Sequence, residues 1–285
     1  MNMFDIWNAK EDLAEEVYSR DNYIIMDNIF QDSKLCYIFF SSNNIWFPNT
    51  ETAFRRSFIE NDYYEWKSYS NLPARKIIFM RDIYKSWYVT GINRYMDSID
   101  KVIVFLKKET EGLKVITVGS SAGGYMAALA ASLLDAEHCL CCSAQFDLTV
   151  EEALGRNPLL KAYLQDDRNK YYKIADIIKK SNTVIYYIMP AHVSIDCKQL
   201  NTICTVNNVK ILKMASHHHG VPILKGTLPI LLRMDVDALN TLFEANKDKI
   251  TGKIALSIKL CGIWKTCKFL KEEAMKQVYK RLRRN

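Results

Sequence analysis

Short apolar runs alternate along the chain with segments in which apolar residues recur every three or four positions. Runs rich in β-branched and aromatic residues predict strands, which we place at 23–26, 35–40, 76–80, 115–118, 138–144, 183–189 and 209–214. Segments with helical character lie between them, at 11–17, 96–109, 127–131 and 197–205. Strands that alternate with helices predict an α/β fold with a mostly parallel central sheet flanked by helices.

The length and composition of the chain fit one large α/β domain, or one domain with appendages. The 285 residues are 49% hydrophobic, which is enough for a sizeable core. No stretch approaches the ~20 apolar residues that cross a bilayer, and the first residues lack a basic start followed by an apolar run. We therefore expect a cytoplasmic protein. Cys139, Cys141 and Cys142 lie within an apolar strand, so we expect reduced, mostly buried thiols.

The net charge of +7 is concentrated near the C-terminal end. Residues 265–285 contain eight Lys/Arg and two Glu, while the rest of the chain contains 31 basic and 30 acidic residues. A nearly neutral body argues against a nucleic-acid groove across the domain. We therefore expect no nucleic-acid partner.

The motif with the most chemical content is Gly119-Ser120-Ser121-Ala122-Gly123, which joins a predicted strand to an alanine-rich helix. G-x-S-x-G at such a turn is typical of a nucleophile elbow, in which small neighbours let the two backbones approach. Ser121 is the predicted nucleophile, and the amide of Ala122 at the helix start is the first predicted oxyanion donor. A glycine-rich turn of this form can also bind phosphate or serve close packing alone.

A serine nucleophile needs a base with a pKa near 7 and a carboxylate that orients this base. With this type of elbow the three residues follow the chain order Ser, Asp/Glu, His. Asp196 and His219 come after two late strands in that order. Asp147, after an earlier strand, is the alternative acid.

Three consecutive histidines, 217–219, compete for the role of base. His219 is preferred because Gly220 lets its loop turn sharply over the site. Three consecutive histidines cannot all face one ion from a regular strand or helix, so we predict no metal site.

The loop after the strand at 35–40 lies where ligands bind in open α/β sheets. A loop in this position lends the second oxyanion amide in proteins with such an elbow, so Ser42 and Asn43 are the predicted donors. An ordinary asparagine-rich turn is the structural alternative.

The loop after the strand at 76–80 supplies the predicted substrate contacts. Arg81 and Asp82 could position a polar or anionic substrate, and Trp87 and Tyr88 could form its apolar wall. Tyr125, which closes the elbow motif, joins this set. An ion pair between Arg81 and Asp82 within the loop is the alternative.

We divide the chain into a catalytic domain at 1–248 and a basic amphipathic helical extension at 249–285. A comparatively polar helical segment at about 149–180 is predicted to form a small cap over the sheet. In the extension, apolar residues recur at 260, 263, 267, 270, 274, 278 and 282, opposite a lysine-rich face. This pattern predicts either contact with an anionic membrane leaflet or a helix that docks its apolar side on the domain.

Taken together, these positions resemble the α/β-hydrolase superfamily over about residues 20–245. More narrowly, the chain resembles small bacterial proteins encoded among capsule and surface-polysaccharide genes, some of which are O-acetyltransferases with a Ser-Asp-His triad. The resemblance is carried by Phe39-Phe40-Ser41-Ser42, Arg81-Asp82, Trp87-Tyr88, Gly119-Ser120-Ser121-Ala122-Gly123-Gly124-Tyr125, Asp196 and His219-Gly220.

The resemblance implies acyl transfer through an acyl-serine, from acetyl-CoA to a sugar hydroxyl or from an ester to water. Acetyl-CoA would be a co-substrate, the substrate a glycan or a small acyl ester, and no cofactor would be tightly bound. Peripheral contact of 260–285 with the inner membrane or with a glycosyltransferase complex is a further expectation. The competing hypothesis is a catalytically silent scaffold for polysaccharide assembly, which would not need Ser121, Asp196 and His219 together.

Overall fold

The fold is taken from a computed structural model that describes residues 6, 12–27, 30–150 and 157–282, with side chains up to residue 275. Its strands are β1 (Tyr23–Asp27), β2 (Leu35–Phe40), β3 (Lys76–Met80), β4 (Lys114–Ser120), β5 (His138–Cys142), β6 (Val184–Pro190), β7 (Val209–Met214) and β8 (Ile250–Thr251). They form one sheet in the order β1-β3-β2-β4-β5-β6-β7-β8. β1 pairs antiparallel with β3, and the other neighbouring pairs within the described residues are parallel. The predicted mostly parallel sheet is confirmed.

Helices connect the strands and cover both faces of the sheet. They are α1 (Asp12–Tyr18), α2 (Glu51–Arg55), α3 (Ile99–Glu109), α4 (Ala122–Leu133), α5 (Pro158–Gln165), α6 (Ala175–Lys180), α7 (Ser194–Ile203), α8 (Leu228–Leu231), α9 (Val236–Glu244) and α10 (Lys253–Leu282). No helix in the described part of the chain is long and apolar enough to cross a membrane.

The sheet separates two apolar cores. Alternate residues of β2 face opposite sides, so Ile38 and Phe40 pack in one core while Tyr37 and Phe39 pack in the other. Helices α3 and α4 cover the first core, and α8 and α9 cover the second. Burial on both faces explains why the strands read as continuous apolar runs. Four free cysteines lie in these cores: Cys36, Cys139, Cys141 and Cys142.

Two connecting segments contain helices of their own. The segment at 48–74, between β2 and β3, contains α2 and a π-helical turn at Arg56–Glu60. The segment at 149–180, predicted as a cap, contributes Leu160 and Ile178 to the first core. Its residues 151–156 lie outside the described chain. The described part of this segment therefore packs with the helical layer of the domain.

Within the predicted C-terminal extension, Ile250–Thr251 form β8 at the edge of the sheet, and Lys253–Leu282 form a broken helix that docks on the domain. Gly262, with φ 81 and ψ 167, divides α10 into two helical parts. Leu256 and Thr266 are each only 1% exposed, whereas Ile263, on the predicted apolar face, is 62% exposed. The docked face thus differs from the one that the spacing indicated, because the break at Gly262 rotates the second part relative to the first.

Candidate active site

Ser121 sits at the turn between β4 and α4, in a left-handed backbone conformation with φ 54 and ψ −125. Such a conformation costs energy for a residue with a side chain, and it concentrates at functional sites. The turn closes because its glycines lack side chains. A Cβ on Gly119 would overlap the carbonyl of Gly123, and a Cβ on Gly123 would overlap the carbonyl of Phe40. This close packing presents Ser121 at the carboxyl edge of the sheet.

Ser121, His219 and Asp196 form one chain of hydrogen bonds. Nε2 of His219 lies 2.8 Å from Oγ of Ser121, and Nδ1 of His219 lies 2.8 Å from Oδ2 of Asp196. The segments that directly follow β4, β6 and β7 bring the three side chains together, because these parallel strands end at the same edge of the sheet. With a proton on Nδ1 facing the carboxylate, Nε2 can accept the proton of Ser121.

The carboxylate of Asp196 is buried and directed at the imidazole. Asp196 is 1% exposed and lies in the first turn of α7, where the helix N-terminus favours negative charge. The N-cap position belongs to Val193, so Asp196 does not cap the helix. Asp147, the alternative acid, accepts a hydrogen bond from Thr149 and forms an ion pair with Lys173. Asp147 thus orients its own loop.

His217, two residues before His219, contacts a different part of the protein. The ring of His217 stacks on that of His192, with centroids 4.7 Å apart and planes 22° apart. Both ring nitrogens of His219 face Ser121 and Asp196. His217 and His219 therefore point to different partners and do not form a common ligand position.

Two residues after β5, Ser143 and Gln145, belong to the site although they are not among the predicted site residues. Nε2 of Gln145 donates to Oγ of Ser121 at 3.4 Å, and Oε1 of Gln145 accepts from Nε1 of Trp87 at 3.1 Å. Ser143 forms hydrogen bonds to the peptide of Gly220 in the histidine loop. The sequence contains a signal that could have indicated these two residues. They are polar residues that follow β5, a strand beside β4, and therefore lie at the same edge of the sheet as Ser121.

The predicted oxyanion donors differ in availability. The amide of Ala122 opens α4 and has no acceptor within the helix. The amide of Ser42 donates to Oε2 of Glu65 at 2.5 Å, and the Ser42 hydroxyl donates to Oε1 at 3.0 Å. Burial raises the pKa of Glu65, and the two bonds from Ser42 oppose this rise. Because Glu65 engages Ser42, Asn43 is the remaining predicted donor in this loop.

Arg81 serves the interior of the protein and is only 1% exposed. Its Nη1 lies 2.8 Å from Oδ1 of Asp62, and its guanidinium lies over the rings of Phe58 and Tyr64. The ion-pair partner is therefore Asp62 rather than the adjacent Asp82. Arg81 anchors the segment at 56–64. It was predicted to contact the substrate, but its side chain does not reach the edge of the site.

Asp82 organises the loop that follows it. Its Oδ2 accepts hydrogen bonds from the amides of Ser86 at 2.6 Å and Tyr88 at 2.9 Å. Burial raises the pKa of Asp82 to about 6, although these hydrogen bonds lower it. The loop holds Lys85, Trp87 and Tyr88 at left-handed φ values of 54, 57 and 62. Asp82 is thus a structural anchor rather than a group presented to a ligand.

The three aromatic residues predicted to contact the substrate also differ in where they lie. Tyr88 and Tyr125 are fully buried, and their hydroxyls donate to the carbonyls of Ser41 and Tyr171. Trp87 is beside the nucleophile through its bond to Gln145. Of the five predicted substrate contacts, Trp87 is the one whose side chain is linked to the Ser121 hydroxyl, through Gln145.

A cleft of about 860 Å³ is lined by the chain that continues from the loop after β2. Its walls include Asn44, Phe47, Arg56, Asn61 and Tyr63. Phe47 is 75% exposed and Tyr63 is 43% exposed. Aromatic surface beside amide and guanidinium groups suits a polar ligand that also has an apolar face.

No protein-family model matches the chain, and no curated protein matches it. Solved structures do match. The capsule O-acetyltransferase of Neisseria meningitidis serogroup A is 14% identical, with 70% of this chain and 86% of that chain covered and a TM-score of 0.49. A mutant of the same enzyme in complex with CoA is 12% identical, with coverages of 68% and 83% and a TM-score of 0.44. The fluorophosphonate-binding serine hydrolase F of Staphylococcus aureus is 11% identical, with coverages of 67% and 89% and a TM-score of 0.45.

Proposed function

We propose that this chain, which has an α/β-hydrolase fold, is a serine-dependent acyl-transfer enzyme that acts on a glycan. The fold is recognised by the mostly parallel sheet, the elbow at Ser121 and the chain order Ser, Asp, His. The observation that carries the proposal is the hydrogen-bond chain from Asp196 through His219 to Ser121, with both distances 2.8 Å.

The first half-reaction forms an acyl-serine. Oγ of Ser121 attacks the acyl carbonyl carbon of the donor while its proton passes to Nε2 of His219. The carbonyl oxygen becomes an oxyanion, for which the amides of Ala122 and Asn43 are the proposed donors. As the tetrahedral intermediate collapses, His219 returns the proton to the leaving thiolate or alkoxide. The carboxylate of Asp196 stabilises the imidazolium between these two steps.

The second half-reaction releases the acyl group. An acceptor hydroxyl, from a sugar or from water, gives its proton to Nε2 of His219 and attacks the acyl carbon. Collapse of the second intermediate breaks the bond to Oγ of Ser121, which recovers the proton. A transferase and an esterase share every one of these residues and differ only in the acceptor.

We propose that a sugar acceptor binds in the cleft beside the loop after β2, whose lining begins at Asn44, next to the proposed oxyanion donor Asn43. Phe47 and Tyr63 expose aromatic surface there, and Asn44 and Asn61 offer amide groups. Sugars present apolar faces to aromatic rings and hydroxyls to amides. Acetyl-CoA is the proposed donor for the transferase reaction.

The test combines labelling with a turnover assay. We expect a fluorophosphonate to label the protein at Ser121, and we expect Ser121→Ala to lose both labelling and turnover. Acceptor-dependent release of CoA from acetyl-CoA, in the presence of a polysaccharide, would identify the transferase. Rapid hydrolysis of a simple acetyl ester without CoA release would identify the esterase. Unchanged turnover in Ser121→Ala would refute the proposal.

A further inference from the structure

Several of the exposed side chains of α10 are apolar. Ile254 and Ile258, one helical turn apart, are 44% and 39% exposed. Just past the break at Gly262, Ile263 is 62% exposed and Trp264 is 90% exposed. We call these four side chains the outer face of α10.

The outer face is distinct from the surface that attaches α10 to the domain. Phe269 packs so closely on Gly226 that a Cβ at this glycine would overlap the ring. Oε1 of Glu273 accepts a hydrogen bond from the amide of Lys225 at 2.9 Å. Leu256 and Thr266 are buried. The outer face therefore stays exposed while the helix is docked, so intramolecular docking does not account for it.

Basic residues surround the outer face. Residues 253–285 contain ten Lys/Arg and two Glu, whereas the remaining chain contains 29 basic and 30 acidic residues. Lys253, Lys259, Lys265 and Lys268 are exposed and alternate along the helix with the apolar side chains. The excess positive charge of the whole protein therefore lies in the sequence segment 253–285.

We infer that the outer face of α10 binds the surface of an anionic membrane. A bilayer offers negative headgroups to the lysines and an apolar layer to Ile258 and Ile263, while an indole such as that of Trp264 favours the boundary between them. Pairing of two copies through this face would bring two strongly positive segments together, which like-charge repulsion opposes. Nucleic acid would satisfy the charges but leave the isoleucines in water.

The experiment is co-sedimentation of the full-length protein with vesicles of phosphatidylcholine, with and without phosphatidylserine. We expect binding to the anionic vesicles that weakens as salt rises, because exposed charges are screened. The double variant I263S/W264A should bind at least about tenfold more weakly, because two apolar side chains no longer enter the interface. Both side chains are largely exposed, so the variant should keep the circular dichroism spectrum of the wild type.

Tyr95, which is 79% exposed on the loop before α3, provides the matched control. Tyr95→Ala removes a similarly exposed ring, and we expect it to leave vesicle binding unchanged. Three results would overturn the inference: equal vesicle binding by I263S/W264A, dimerisation that this variant abolishes without any vesicle binding, or binding to RNA but not to anionic vesicles.

Discussion

The hydroxyl of Ser143 donates to the carbonyl of Gly220 at 2.7 Å and accepts from the amide of the same residue at 3.0 Å. Directly before it, the carbonyl of Cys142 accepts from the amide of Ser121 at 2.9 Å. Two consecutive residues at the end of β5 thus hold both the nucleophile and the residue after His219. Ser143 is fully buried and adopts φ 45, a conformation that the surrounding structure must enforce.

Ser143 is therefore expected to position His219. Ser143→Ala removes both bonds to Gly220, and we expect kcat to fall on the order of tenfold with little change in KM, since the loss of about 1.4 kcal/mol of orientation affects the transition state. The pH dependence of kcat should also shift, because the imidazole can move relative to its carboxylate.

The control for this prediction is Ser132→Ala. The Ser132 hydroxyl is also buried and donates to a carbonyl, that of Ala128 in α4. Its loss should lower stability without moving the pH profile of kcat. If both variants lost activity equally and neither shifted the profile, Ser143 would have only a structural role.

A second prediction separates the consecutive histidines. His219→Ala should lower kcat by at least about 10³-fold, because the base that activates Ser121 is lost. His217→Ala should lose little activity, since this ring stacks on His192 instead. Steady-state kinetics with an acetyl ester compare the two variants. Strong loss in His217→Ala with little loss in His219→Ala would reverse the assignment of the base.

The elbow was predictable because local sequence determines it, and its partners were predictable because parallel strands end at one edge of the sheet. The glycine pattern around Ser121 follows from backbone contact, and the order of strands places Asp196 and His219 at the same edge. The roles of the loop residues were not predictable in this way. Arg81 is buried by Phe58 and Tyr64, which lie in a segment that carried no clear periodicity. Side chains distant in sequence decide whether such a charged residue faces a ligand or the core.

In the C-terminal helix, the apolar periodicity predicted the wrong buried face after Gly262. A continuous helix would place positions 263 and 270 on the same apolar stripe as 256 and 260. The positive φ of Gly262 interrupts that periodicity, so Ile263 emerges into solvent while Thr266 is buried. A single glycine within a helical pattern can thus change which residues are buried without changing the secondary structure on either side.

A third prediction tests the packing of the elbow. Gly123→Ala places a methyl group onto the carbonyls of Phe40 and Ser41, so we expect stability to fall by about 3 kcal/mol or more. Gly252→Ala is the control, because a Cβ there meets no atom within 4 Å. Urea unfolding measures both variants. Equal stability of the two would mean that the helix can shift away from β2 without cost.

A fourth prediction concerns the pH dependence of stability. Burial raises the pKa of Asp82 from 3.8 to about 6, so the folded protein binds this proton more tightly than the unfolded chain does. The resulting stability is fully present below pH 3.8 and is lost as pH rises through 6.

Relative to Asp82→Asn, the wild type should therefore lose about 3 kcal/mol of unfolding free energy as pH rises from about 3 to about 7. Urea unfolding of both proteins across this range measures the difference and cancels the titration of other groups. A difference that stays constant with pH would show that Asp82 titrates normally.

The last prediction concerns Glu65 and the second oxyanion donor. The Glu65 carboxylate accepts from both the amide and the hydroxyl of Ser42, and this hydroxyl accepts from the amide of Asn44 at 3.2 Å. The residues that make these hydrogen bonds, Ser42 and Asn44, directly precede and follow Asn43. The direction of the Asn43 amide, which is the remaining predicted donor in the loop, therefore depends on Glu65.

Glu65→Ala should lower kcat on the order of tenfold with little change in KM, because a misdirected oxyanion donor weakens only the transition state. Glu65→Gln should keep most of the activity, since its side-chain oxygen can accept from the Ser42 amide and its nitrogen can donate to the Ser42 hydroxyl. Steady-state kinetics with an acetyl ester show whether Glu65 supports the oxyanion donor or blocks it. A higher kcat in Glu65→Ala would mean that the carboxylate blocks the Ser42 amide and that Ser42, not Asn43, receives the oxyanion.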